Sequence, residues 1–150
     1  MFTKPTEYAI RALVYIVLQN MNGKRPGFKE IAKEINSPVQ YLAKILQNLT
    51  KYELINSIRG RGGGFFFTKP KATLPLYDVI KITEGERFFT RCGFGLPSCD
   101  AENPCPLHES YMPMREELFR LVNQESIQSL AEKITKHEAV LSRINFIKNE

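Results

Sequence analysis

The sequence predicts a mainly α fold interrupted by one small β-hairpin. Three observations carry this. Apolar residues recur at helical spacing through several separate segments. A glycine run, "RGRGGG" at 59–64, sits between two short β-prone stretches. Just before it, two short amphipathic helices meet at a tight polar turn, which is the pattern of a helix-turn-helix. A hairpin directly after such a pair makes it a winged helix-turn-helix.

Pro5 suits the first turn of an opening helix. "TEYAIRALVYIVLQN" follows it, apolar on most sides through Ala9, Ile10, Leu13, Ile16 and Val17. A helix that apolar belongs inside the molecule or against a partner chain. "MNGKRPG" then breaks it. In "FKEIAKEIN", Phe28, Ile31, Ala32 and Ile35 share one face. The next helix is expected to start with Ser37 as N-cap and Pro38 at its first position. Leu42, Ile45, Leu46 and Leu49 form its apolar stripe.

In a helix-turn-helix the second helix enters the DNA major groove by its N-terminal end. That places Ser37, Val39, Gln40, Tyr41 and Lys44 at the bases and phosphates. Gln can pair with adenine through two hydrogen bonds, and Ser, Tyr or Lys can reach base or phosphate. In the hairpin, consecutive glycines permit the positive φ that a tight turn needs. Arg59 and Arg61 stand at its tip, where they can reach phosphates or a minor groove. Phe65 and Phe67 are expected to face the core and Phe66 the other side. The glycine run lacks the Lys-Ser/Thr ending of a nucleotide-binding P-loop.

"LPLYDVIKITEGE" is expected to form a helix with Leu76, Val79 and Ile80 inward, stopping at Gly85. Pro113 is expected to open a further helix carrying Met114, Leu118, Leu121 and Val122. A last helix is expected from about Ser126. Its apolar positions Ile127, Leu130, Ile134, Leu141 and Ile144, with His137, suggest a heptad-like seam for a partner helix.

Charge divides along the chain. Residues 1–75 hold 12 Lys and Arg against 4 Asp and Glu, a net +8, while residues 76–150 hold 9 against 12, a net −3. The excess lies in the half that carries the helix-turn-helix and the wing, which favours a nucleic-acid partner. No run of about 18 apolar residues is present, so no membrane span is expected. Glu7 and Arg11 interrupt the N-terminal apolar run, which argues against a signal peptide. A cytoplasmic location is expected.

All three cysteines lie in one turn-rich loop, "CGFGLPSCDAENPCPLH", in the order Cys92-x6-Cys99-x5-Cys105-x2-His108. An odd number of thiols argues against a closed disulfide framework. Free cysteines prefer buried helix and strand positions, so clustering in a Gly/Pro loop points to ligation. Three thiolates and an imidazole make a complete four-ligand set. Structural zinc sites usually include a tight Cys-x2–4-Cys knuckle, and none is present. Wide spacing suits a larger object such as an iron–sulfur cluster. A Cys3His structural zinc and an empty, thiol-based redox sensor are the alternatives. A catalytic thiol needs a base and an orienting group, and neither is evident, so no enzyme and no small-molecule substrate are expected.

In the order and spacing of "EYAIRALVYI", "IAKEINSPVQYLAKILQNL", "RGRGGGF", "LYDVIKITEG" and the three-cysteine loop, nearly the whole chain resembles the Rrf-two family of bacterial winged-helix transcription regulators. That family includes the regulators IscR and NsrR. The resemblance implies a homodimer on a palindromic operator in double-stranded DNA, with C-terminal dimerisation helices after the loop. It implies a DNA-binding domain over 1–85, a cluster-binding loop over 86–110 and dimerisation helices over 111–150. It also implies that Cys92, Cys99 and Cys105 hold an iron–sulfur cluster that switches operator binding in response to redox state, nitric oxide or iron–sulfur status. His108 matches the residue that completes a [2Fe–2S] site. Glu7 falls where nitric-oxide sensors supply an acidic ligand from the partner subunit to a [4Fe–4S] cluster. His108 lies three residues from Cys105 on one segment, so [2Fe–2S] with His108 is favoured. An aerobic preparation can lack the cluster.

Overall fold

A computed structural model of the chain describes residues 1–68 and 73–143. Among them run α1 (Lys4–Met21), α2 (Phe28–Ile35), α3 (Val39–Lys51), the strands β1 (Asn56–Ile58) and β2 (Gly64–Phe66), α4 (Leu76–Glu84), a 3-10 turn (Glu86–Phe89), α5 (His108–Gln124) and α6 (Ile127–Thr135). The expected winged helix-turn-helix is present, with further helices behind it.

Helix α1 is the axis of the core. Ala9, Ala12, Leu13 and Ile16 are fully buried, and α2, α3, α4 and α6 all pack on it. Its near-continuous apolar character follows from those neighbours. Ile31, Ala32 and Ile35 of α2, Leu42, Leu46 and Leu49 of α3, and Val79 and Ile80 of α4 complete the core. The end of α2 is closed by Asn36 in the left-handed region (φ 54°), with Ser37 N–H donating to the Ala32 carbonyl at 2.9 Å. That reversal sets the angle between α2 and α3.

Strands β1 and β2 pair antiparallel, Ser57 opposite Phe65. Phe67 is buried and Phe65 packs on the core, while Phe66 lies under the Arg25 guanidinium at 4.4 Å. The expected alternation of these three rings therefore holds. Gly64 has φ 142°, and a Cβ there would stand 2.1 Å from the Arg25 carbonyl oxygen. Only glycine lets this strand lie so close to the α1–α2 link.

Three local expectations are corrected. First, α3 starts one residue later than expected. Ser37 N–H is spent on closing α2, so Pro38 becomes the N-cap residue and its carbonyl accepts from Leu42 N–H at 3.0 Å. The Ser37 Oγ is buried and, among the described residues, has no hydrogen-bond partner.

Second, Pro113 lies inside α5 rather than at its start. The helix is initiated by Tyr111 N–H donating to the Leu107 carbonyl at 2.8 Å. Proline removes the bond that the Glu109 carbonyl would accept. Both residues are exposed, so water can satisfy that carbonyl.

Third, the heptad-like seam is not a continuous helix. His137 adopts φ 60° and closes α6, with Glu138 N–H donating to the Lys133 carbonyl at 2.9 Å. His137 and Leu141 therefore leave the helix, and Ile144 lies outside the described residues. What remains of the seam, Ile127, Leu130 and Ile134, packs on the core with α6 against α1 of the same chain.

Candidate functional site

The exposed N-terminal face of α3 presents Val39, Gln40, Tyr41 and Lys44, while Leu42, Ile45, Leu46 and Leu49 hold its other face in the core. No side chain caps this helix, so its first backbone N–H groups have no side-chain acceptor at the cap. Uncapped N–H groups and the helix dipole suit a phosphate. Of the five residues expected on this helix, Ser37 is the exception, since its hydroxyl is turned inward. Tyr41 also meets Tyr8 of α1 edge to face, ring centroids 5.8 Å apart. Helix α3 is thereby braced against α1.

Arg59 and Arg61 are both exposed in the turn between β1 and β2. Between this turn and α3 lies an open groove of about 710 Å³, lined by Gln40, Ala43, Gln47, Ser57, Arg59 and Phe65 among others. Gln47 was not among the sequence-predicted residues. It stands seven positions after Gln40, two turns along the same face, and that spacing could have found it.

The wing is fastened to α1 by one side chain. Asn20 Nδ2 donates to the carbonyls of Lys24 at 2.9 Å and Phe65 at 3.3 Å, and Asn20 Oδ1 accepts from Phe67 N–H at 2.9 Å. Phe65 N–H donates to the Pro26 carbonyl at 2.8 Å. The bonds to Phe65 and Phe67 link residues far apart in sequence, so no local motif announces them.

The cysteine loop leaves the 3-10 turn and ends in the first turn of α5. It gathers its donors into two pairs. Cys92 Sγ lies 3.6 Å from Cys105 Sγ, and Cys99 Sγ lies 3.5 Å from His108 Nδ1. Cys92 is buried, and the other three are half-buried. The backbone N–H of Leu96 is the main group holding the Cys92 thiol below its usual pKa. The N–H groups of Phe94 and Gly95 and the Cys105 thiol add to this against the opposing effect of burial. Such N–H groups stabilise a thiolate, the form that ligates metal.

Two arginines pin the loop. Arg87 donates to the Pro97 carbonyl at 2.6 Å, and Arg115 donates to the Arg91 carbonyl at 2.8 Å and lies 3.6 Å from Cys99 Sγ. Gly93 lies flat against the Tyr111 ring, where a Cβ would stand 2.7 Å from the ring. Glu7, the alternative ligand, pairs with Lys4 at 2.8 Å on α1 of its own chain.

Among the described residues, no three His, Cys, Asp or Glu side chains converge on one point as a preformed single-ion site would require. Two ligands on one tetrahedral metal, with bonds of about 2.0–2.3 Å, lie roughly 3.5–3.8 Å apart. Each pair here has that spacing. Three thiols and an imidazole in two such pairs are ligand types that suit a metal ion or an iron–sulfur cluster.

The 3-10 turn just before Cys92 is tied into the rest of the molecule by aromatic rings. Phe89 contacts Tyr77 of α4 (5.4 Å), Phe88 (4.9 Å) and Phe119 of α5 (5.6 Å). Helix α5 is otherwise little covered. Val122 alone of its described residues is fully buried, while Met114, Phe119 and Leu121 are about half exposed.

A family model described as Rrf2, iron-dependent transcriptional regulator, matches residues 2–133. Protein aau3 of Rhizobium meliloti (strain 1021) is 32% identical over 130 residues, covering 85% of this chain and 82% of that protein. The solved structure of T. potens IscR aligns with a TM-score of 0.71 at 14% identity, covering 97% of this chain and 96% of that one. That of CymR (YrzC), the global cysteine regulator of B. subtilis, gives 0.71 at 17% identity, covering 88% and 96%. Both structures share the winged-helix architecture described above.

Proposed function

The chain belongs to the Rrf2 family of transcriptional regulators, and from that premise we propose that its operator binding is switched by an iron–sulfur cluster held by Cys92, Cys99, Cys105 and His108. The observation that carries this is the pairing of donors, Cys92 with Cys105 and Cys99 with His108. Four such donors would supply the ligands that a [2Fe–2S] cluster takes from the protein. When bound, such a cluster supplies one-electron redox chemistry and reactivity towards oxidants and nitric oxide.

The chain's own residues supply the rest. Val39, Gln40, Tyr41 and Lys44 read the major groove, and Arg59 and Arg61 hold the adjacent backbone or minor groove. Two copies joined through α5 place two such faces on a palindromic site in the cytoplasm. Ordering the loop fixes the turn that carries Phe88 and Phe89, and through Tyr77 and Phe119 it biases α4 against α5. Such a bias couples loop and DNA when the two prefer the same arrangement.

The closeness of Cys92 and Cys105 supports a second reading, a thiol switch without metal in which hydrogen peroxide oxidises these two to a disulfide, taking their two electrons and two protons and leaving as water. Protein purified without oxygen separates the two. Coloured protein with about two irons and two sulfides per chain, and operator affinity that changes on cluster removal, supports the cluster. Colourless protein whose DNA binding follows disulfide formation overturns it. Colourless protein with stoichiometric zinc overturns both.

A further inference from the structure

The Arg115 guanidinium stands half-buried on α5 beside the cysteine loop. It donates to the Arg91 carbonyl at 2.8 Å and to Met112 Sδ at 2.7 Å, and it lies 3.6 Å from Cys99 Sγ. Arg91 directly precedes Cys92, a member of the first donor pair, and Cys99 belongs to the second. One planar fork on α5 therefore reaches both ends of the 92–99 segment. A lysine at this position has one ammonium and no fork to span them. Among the described residues no carboxylate forms an ion pair with Arg115. Its positive charge is left facing the thiol group that would become negative on ligation.

We propose that Arg115 is a positioning residue of the cysteine centre, holding the 92–99 segment on α5 and raising the reduction potential of a bound cluster through its charge and its N–H···S contact. The first half stands on the chain alone. The second rests on the cluster reading. Positive charge and hydrogen bonds at the sulfurs favour the reduced, more negative state. The same contact ties the loop to the helix offered for pairing the subunits, so loop order and α5 placement move together.

The test uses the full chain with Arg115→Gln, Arg115→Lys and, for comparison, Arg87→Gln. Arg87 touches the loop only at the Pro97 carbonyl. In reduced, metal-free protein, hydrogen exchange of the 92–99 amides should accelerate several-fold in both Arg115 variants while α1–α3 stay unchanged. Unchanged loop exchange in Arg115→Gln overturns the positioning role.

In cluster-loaded protein, Arg115→Gln should shift the reduction potential negative. Arg115→Lys, which keeps the charge, should return it towards wild type while its loop still exchanges fast. Arg87→Gln, which removes a charge held at the Pro97 carbonyl rather than at a thiol, should shift the potential less than Arg115→Gln does. A wild-type potential in Arg115→Gln overturns the electrostatic half. Wild-type protein that takes up no iron and sulfide overturns the cluster reading instead, and the exchange comparison still decides the role of Arg115.

Discussion

Phe67 N–H donates to Asn20 Oδ1 at 2.9 Å, so a side chain at the end of α1 governs where the wing stands. Asn20 Nδ2 donates to the carbonyls of Phe65 and Lys24. Asn20→Ala leaves those groups short of partners, at a cost of about 1–3 kcal/mol. Urea unfolding should show that loss. DNA titration should show weaker binding to every sequence alike if, as proposed, the wing contacts backbone. Asn20→Asp keeps the acceptor for Phe67 and should fall between the two.

The two reading elements should separate by salt and by sequence. Arg59→Ala or Arg61→Ala removes one phosphate contact, which lowers the slope of log affinity against log salt by about 0.9. Gln40→Ala should instead cost about 1–3 kcal/mol at the preferred base and flatten the preference there. Titrations at several salt concentrations, on the operator and on single-base variants, check both. A salt slope unmoved by either arginine removes the wing from the interface.

Much of this was legible in the chain itself because the signals are local. Helical spacing found α1 to α4, the glycine run found the hairpin, and the loop spacing singled out four residues that the fold brings together in two pairs. Three features needed the folded chain. The αL closure at Asn36 moved the cap from Ser37 to Pro38, which turns on one backbone angle. Pro113 suggested a helix start, yet the helix already begins at His108. The αL closure at His137 stopped a seam that looked continuous. Asn20 and Arg115 were unreadable for another reason. Their partners on the wing and on the cysteine loop lie 16 to 47 residues away, where no spacing rule applies.

Glu84 supplies acid-dependent stability. Thr3, the N-cap of α1, forms no side-chain cap of its own. The Glu84 carboxylate at the end of α4 instead holds this end of α1, accepting from Thr3 N–H at 2.8 Å, Thr3 Oγ1 at 2.8 Å and Thr6 Oγ1 at 2.7 Å. Burial raises its pKa, but the Thr3 and Thr6 donors outweigh that and hold it below the usual carboxylate value. A depressed folded pKa means the stabilisation is complete above the unfolded value of about 4.3 and is lost as pH falls through the folded one. Glu84→Gln should therefore lower stability at pH 7. The gap from wild type should close as pH falls below about 4. Denaturant unfolding from pH 7 to pH 3 measures it, and a gap that widens on acidification contradicts the assignment.

Pairing of two copies is expected to run through α5. Met114, Leu118 and Leu121 recur at helical spacing, and Met114 and Leu121 are 57% and 45% exposed in the single chain. A 17-residue helix with one fully buried residue leaves most of its apolar surface uncovered. Leu121→Glu places a charge on that surface without disturbing the core below, so monomer stability should change by no more than about 0.5 kcal/mol. A charge buried between two copies without a partner costs far more. Sedimentation should then show a dimer for wild type and a monomer for the variant. Half-sites one turn apart, about 34–36 Å, are bound together only by a dimer. Operator affinity should therefore fall towards that of a single half-site while each reading helix stays intact. A Leu121→Glu protein that remains dimeric with full operator affinity would move the interface off α5.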